Sequence, residues 1–298
     1  MRFSLFRGIC AILKKVILPG FEGMTLFDLI HTYLTGIVKG TLSARAGSIA
    51  YSFFMALFPA LLFLLNLIPI IPIANFQKKF MNFIYELIPQ QSLAFFEPVI
   101  QDISQNPRGG LLSFVAVLAL FLMANGVNAI FSGFEGSYHI EINRNFISQY
   151  ATALGVSIIL ALLLLTTISV LIYFEYLLHI LNENEIVSNT MDVTLVSLGS
   201  YLFFVIMIYV TVATLYYFGT KAGKRNRFFS IGAWMTTILF MLTTYLFGIY
   251  IDNFSNYNEL YGSIGALLIM MLYIWLNSNL ILLGFELNAS LQKLRVQV

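Results

Sequence analysis

Asn125, Asn128, Ser132 and Glu135 follow one another at intervals of three, four and three inside an otherwise apolar stretch. On a helix that spacing sets all four on one face. A second set, Asn277, Asn279, Gly284, Glu286 and Asn288, closes the last apolar stretch. Asn277, Gly284 and Asn288 share a face there, with Asn279 and Glu286 on a neighbouring one. A third set, Arg45, Ser48, Tyr51 and Ser52, opens the first such stretch. In hydrocarbon each of these groups must be paired or line a cavity, because no water is present to satisfy it. The sets are rich in amides and hydroxyls and poor in charge, which suits a headgroup or a neutral polar ligand better than a small ion. An Arg or an acid near the centre of a span costs about 2.5–3.5 kcal/mol, less toward its ends. Arg45 is therefore expected to pair with Glu286 or Glu135 and to close one side of a bundle. The alternative is that each group reaches the lipid headgroups by itself.

The elements that carry these residues are membrane-length. The chain is 59% hydrophobic and only 10% charged, whereas a soluble domain carries roughly 25% charged residues to wet its surface. A crossing of about 30 Å of hydrocarbon takes about 20 apolar residues as a helix. Six stretches qualify, at about 47–71, 111–134, 150–178, 195–218, 229–251 and 263–287. They are continuous instead of alternating, which excludes a barrel. The expected fold is an all-α membrane protein, a bundle of six transmembrane helices within residues 45–291. A segment of 1–44 precedes it and a short tail of 292–298 follows. Of the 16 Lys and Arg residues, all but Lys78, Lys79 and Arg108 flank one side of these spans. By the positive-inside rule both termini are cytoplasmic. Leu26, Ile30, Tyr33 and Ile37 predict an amphipathic helix over 24–39, and two more are expected in an extracytoplasmic loop over 74–110. Gly262, Gly265 and Ala266 give the sixth span a small-residue face for close helix packing, to which Gly284 adds. Pro59, Pro69 and Pro72 bend the first span or mark its outer end.

Other chemistries lack their residues. The single cysteine, Cys10, excludes an intramolecular disulfide and a multi-Cys zinc site. His31, His139 and His179 lie on separate segments, so no metal-dependent nuclease centre is legible. No nucleotide-binding loop or Ser-His-Asp set stands out, and a net charge of +2 gives no basic stripe for a nucleic acid. No metal and no cofactor are expected. Membrane lipids are the expected partners, with room for a homo-oligomer. Transport, if it occurs, is passive or driven by an ion gradient.

Two of the polar sets also carry a resemblance. Ala44-Arg45-Ala46-Gly47-Ser48-Ile49-Ala50-Tyr51-Ser52, with Phe58-Pro59, resembles the opening span of the YihY/BrkB family of bacterial membrane proteins. Tyr261-Gly262-Ser263-Ile264-Gly265-Ala266 and Leu283-Gly284-Phe285-Glu286-Leu287-Asn288 are similar to that family's last span, with Phe285 where a small residue is usual. Between Glu135 and Phe146 only Arg144 and Phe146 match, and much of the family's basic character there is missing. The resemblance spans nearly the whole chain. It implies a multi-pass bacterial inner-membrane protein connected with the cell envelope, for which transport of lipids or lipopolysaccharide precursors has been proposed. Members once bore the label ribonuclease BN, against which the residue inventory argues. The reading is a translocator of a lipid or another envelope-related amphipathic substrate, through a cavity among spans one, two and six. A non-transporting scaffold of the envelope, its Asn residues joining helices, is the competing reading.

Overall fold

The structure, a computed structural model, describes residues 41–67, 109–137, 145–183, 190–219, 228–253 and 263–297, with a few positions between 13 and 31 and residue 97. These residues form six long helices and no strand. They are α1 (Thr41–Leu67), α2 (Gly109–Glu135), α3 (Phe146–Glu183), α4 (Thr190–Gly219), α5 (Ile231–Asn253) and α6 (Ser263–Gln297). Continuous runs of Leu, Ile, Phe and Val leave most of the surface of each helix apolar, as burial in lipid requires and a water-facing surface forbids. Five of the helices, α2 to α6, are long and apolar enough to cross a membrane. Helix α1 stands outside those five; its first turns hold Ser43, Arg45, Ser48, Tyr51 and Ser52. The protein is an all-α membrane protein.

The helices form a ring in chain order. Each packs on the next, and α6 returns to α1. Helix α2 sits furthest inside, touching α4 and α6 as well as its two sequence neighbours. Small residues allow that central position. Gly126 lies against the Phe53 ring, and Gly133 fits between Ile49 and Leu282, where a Cβ would come within 3.1 and 3.0 Å of their side chains.

One end of the ring is tightly closed. Phe131, Phe134, Ile49, Ile130 and Leu282 are fully buried there. Phe134 stacks on Phe285 with ring centroids 3.9 Å apart, and Tyr216 meets both rings edge-on. Gly219 abuts the Phe134 ring so closely that any side chain would displace it.

Helix lengths depart from the sequence expectation at several ends. Helix α3 has 38 residues, about 57 Å at the usual rise per residue, so it must tilt or protrude from the hydrocarbon. Helix α6 runs to Gln297 through the expected tail, because Leu287 and Leu291 still pack against Ile231 and Met235. The amphipathic helix expected over 24–39 lies mostly outside the described residues, as do Gly262, Arg144, His139 and nearly all of the 74–110 loop. At its start, Thr25 and Asp28 cap each other: Thr25 N–H donates to Asp28 Oδ2 at 3.0 Å, and Asp28 N–H donates to Thr25 Oγ1 at 3.2 Å. That reciprocal pair marks a helix N-terminus.

Candidate functional site

The closed end of the ring holds the polar residues, divided among three seams. At the first seam Arg45 of α1 reaches across to α2 and α6. Its Nη2 lies 3.3 Å from Glu286 Oε1, and its Nη1 donates to the Gly133 carbonyl at 2.8 Å. Gly133 belongs to the last turn of α2, whose carbonyls have no partner within the helix. A guanidinium there satisfies one of them and faces the negative end of the helix dipole. Gly136 leaves the room this needs, since a Cβ would stand 2.9 Å from Arg45 Cδ. The second carboxylate oxygen of Glu286 accepts from Ser137 Oγ at 2.6 Å. Three helices thus meet on one half-buried ion pair, with side-chain exposures of 15% for Arg45 and 12% for Glu286. Glu286, one of the two partners the sequence offered Arg45, stands within ion-pair distance of it.

At the second seam the α2 stripe meets α3 through Gln149, which is buried at 6%. With its amide oriented to suit its neighbours, Gln149 donates to both Glu135 oxygens at 3.0 and 3.2 Å and accepts from Ser132 Oγ at 3.1 Å. The Asn128 amide lies 3.2 Å from the same oxygen. Asn125, a turn and more along this face, is half-buried.

The third seam joins α4, α5 and α6. Asn288 Oδ1 accepts from Gly232 N–H at 2.9 Å, and its Nδ2 donates to Ser230 Oγ at 3.0 Å. Ser230 in turn accepts from Ala233 N–H at 3.3 Å. Two first-turn donors of α5 are satisfied in this way, one by its own N-cap and one by a neighbouring helix. Beside them Tyr216 donates to the Ile281 carbonyl at 2.8 Å and lies 2.7 Å from Thr236 Oγ1. Gly284 permits this approach, since a Cβ there would overlap Thr236 Oγ1 and come within 2.5 Å of the Tyr216 hydroxyl.

The remaining candidates stand apart. Ser48 and Tyr51 lie on the exposed side of α1, opposite the buried Ala46, Ile49 and Ala50, and Ser52 is half-buried. Asn277 and Asn279 each donate back to a carbonyl of their own helix, at Tyr273 and Trp275. Gly265 is buried, and the Ala266 side chain lies outside the described residues. Ser137, Gln149, Tyr216, Ser230, Gly232 and Thr236 were not singled out from sequence. Gln149 was the most accessible of them to reasoning, as a lone amide at the mouth of a span facing the α2 stripe. Among the described residues no three His, Cys, Asp or Glu side chains gather where they could hold a metal ion.

Membrane-length apolar helices sewn together at one end by buried polar contacts define a polytopic membrane protein. Residues 34–297 match the model of the Virulence factor BrkB family, and the chain belongs to that family. Among its relatives is the ribonuclease-like protein YfkH of Bacillus subtilis, 28% identical over 84% of this chain and 90% of the relative. A UPF0761 membrane protein of Coxiella burnetii is 24% identical over 89% of this chain and 92% of the relative. A UPF0761 membrane protein of a Psychrobacter species is 27% identical, and this chain spans about half of its length (51%). No solved structure matches the chain.

Proposed function

We propose that this protein is a six-span translocator of a lipid or similar amphipathic substrate in a bacterial inner membrane. Both termini lie on the cytoplasmic side, and the cytoplasmic end of the bundle is held shut by Arg45 and Glu286. The observation that carries this reading is the sealed end of the ring. The aromatic stack of Phe134 and Phe285 and the ion pair fill the end that bears Arg45. A bundle sealed at one end is one of the two states that alternating access needs. In this reading the space among α1, α2 and α6 is occupied at the sealed end, and the substrate path opens only when that end separates.

The scaffold reading draws on the same packing, since amide and hydroxyl contacts also serve as permanent joints between helices. The ribonuclease-like part of the YfkH name does not carry over to this chain: His31, His139 and His179 lie on separate segments. One reconstitution separates transport from scaffolding. Purified protein in vesicles with a headgroup-labelled phospholipid is assayed for transfer of the label between leaflets, with and without a pH gradient. Transfer above that of protein-free vesicles, altered by Arg45→Ala, is the expected result. Rates equal to those of protein-free vesicles for both wild type and Arg45→Ala, under both conditions, would overturn the transport reading in favour of the scaffold.

A further inference from the structure

The seam between α4 and α5 changes character along its length. On α4, Leu198, Leu202, Tyr209 and Tyr216 fall at intervals of four, seven and seven and so share one face. That face is turned toward α5, because the Tyr209 ring lies 4.4 Å from the Trp234 ring and the Tyr216 hydroxyl meets Thr236. Tyr209 and Tyr216 are 3% and 4% exposed, whereas Leu202 and Leu198 are 60% and 63% exposed.

Helix α5 repeats the pattern. Ala233, Thr237, Thr244 and Gly248 share a stripe, which runs between Thr236, turned to α6, and Trp234, turned to α4. Ala233 and Thr237 are buried. Thr244 and Gly248 are exposed, and a Cβ on Gly248 would meet nothing within 4 Å. Facing stripes that pack at one end and stand open at the other describe two helices diverging. Consistent with this, α4 and α5 have the thinnest seam between chain neighbours in the ring.

The open part of the seam lies within the membrane-crossing lengths of both helices, Thr194–Gly219 and Ile231–Ile251. What surrounds it is therefore hydrocarbon. Leucines form one wall, and the hydroxyl on the other is tied up at 2.7 Å with Tyr273 of α6. Nothing there favours water over an alkyl chain.

We propose that the diverging halves of α4 and α5 form a lateral portal that admits the acyl chain of a membrane lipid, framed by Leu198 and Leu202 on one side and Thr244 and Gly248 on the other. The portal deepens the translocation reading, on which it rests: the substrate enters sideways from the bilayer and not from the aqueous side.

Photocrosslinking tests it. The full chain is reconstituted with a phosphatidylcholine bearing a diazirine midway along one acyl chain, irradiated, and its adducts are mapped by peptide mass spectrometry. Ile238, 63% exposed on the outer side of α5, serves as the reference for ordinary lipid contact. Gly248→Phe, placed where a side chain has room, is expected to lower adducts at Leu202 relative to Ile238 about tenfold, the effect of denying the chain about two methylenes of burial. Leu202→Trp, acting from the opposite wall, should do the same to adducts at Thr244. Adduct ratios unchanged by both variants would overturn the portal. Leaflet transfer measured in the same vesicles keeps the two ideas distinguishable. Transfer with unchanged ratios sinks the portal alone, while changed ratios without transfer sink the transport reading and leave the portal standing.

Discussion

Replacing Glu286 by Gln keeps the side-chain shape and removes the charge that faces Arg45. The cost follows from the contacts. Removing one partner of a buried ion pair costs about 3–5 kcal/mol, because the other charge is left uncompensated. Here the pair is long for a charge-assisted bond at 3.3 Å, and Arg45 keeps its contact to the Gly133 carbonyl, which places the loss at the lower limit, about 3 kcal/mol. Arg45→Met is expected to cost a similar amount, since Glu286 would retain only Ser137. The double variant Arg45→Met/Glu286→Met removes both charges but takes the donor from the Gly133 carbonyl and an acceptor from the Ser137 hydroxyl, each at a cost of about 2 kcal/mol. Its total should therefore be about 4 kcal/mol instead of the additive 6, a coupling of about 2 kcal/mol, in the range found for residues in direct contact. Unfolding in detergent by SDS titration reads this out through tryptophan fluorescence, because Trp275 packs against the core and Trp234 contacts Tyr209. Single losses below about 1 kcal/mol, the value typical of exposed surface pairs, would refute the argument, as would strictly additive behaviour.

Gly284→Ala should destabilise by about 3 kcal/mol, near the upper end of overpacking effects, because its methyl collides with Thr236 Oγ1 and the Tyr216 hydroxyl; thermal unfolding of the purified protein checks this, and a change under 1 kcal/mol would contradict the close α5–α6 crossing. Gln149→Leu removes the amide that joins Ser132 and Glu135 to α3 and is expected to cost about 1 kcal/mol, with Gln149→Glu worse because it adds a charge beside Glu135. At Asp28, the hydroxyl and backbone N–H of Thr25, with Lys14 nearby, hold the carboxyl below its ordinary 3.8. A carboxylate lowered on folding supports the fold above its unfolded value and loses that support as pH falls through the lowered one. Hydrogen exchange at residues 26–28 should thus stay slow down to about pH 4 and quicken below it, and Thr25→Val should move that onset upward.

The apolar blocks made the long helices legible, since a run of about 20 such residues has no stable home in water. The polar contacts were legible only in part. A charge at the edge of a span demands a partner, which pointed Arg45 to a carboxylate. Whether that is Glu135 or Glu286 depends on the rotation of α2 and α6 about their axes, which spacing within one helix does not fix. The spacing of Asn125, Asn128, Ser132 and Glu135 sets them on one face of α2, and the last three meet Gln149 of α3. Asn277 and Asn279 show another limit: an Asn can satisfy itself on the carbonyl four residues back, so its presence in a span does not establish an interhelical contact. Gly284 was legible as a packing residue, while Tyr216 and Thr236, the groups that use the space, look in sequence like any other span residue.

Two of the three seams share a physical property that bears on function. Both satisfy backbone groups that a helix end leaves open: Arg45 on the Gly133 carbonyl, and Asn288 and Ser230 on the first turn of α5. Polar contacts of this kind belong where helices begin and stop, which explains why they collect at one end of the ring while the spans beyond it stay apolar. The same arrangement makes that end costly to separate, for parting α1 and α2 from α6 separates the Arg45 and Glu286 charges and unstacks Phe134 from Phe285 in one movement. The opposite end has no buried aromatic stack among its described residues, and the proposed portal between α4 and α5 lies there. On the translocation reading, then, the sealed end sets the barrier and the portal side sets the access. Weakening Arg45–Glu286 should raise the leaflet-transfer rate, whereas filling the space beside Gly248 should lower it with the ion pair intact. A scaffold has no reason to respond to the two changes in opposite directions.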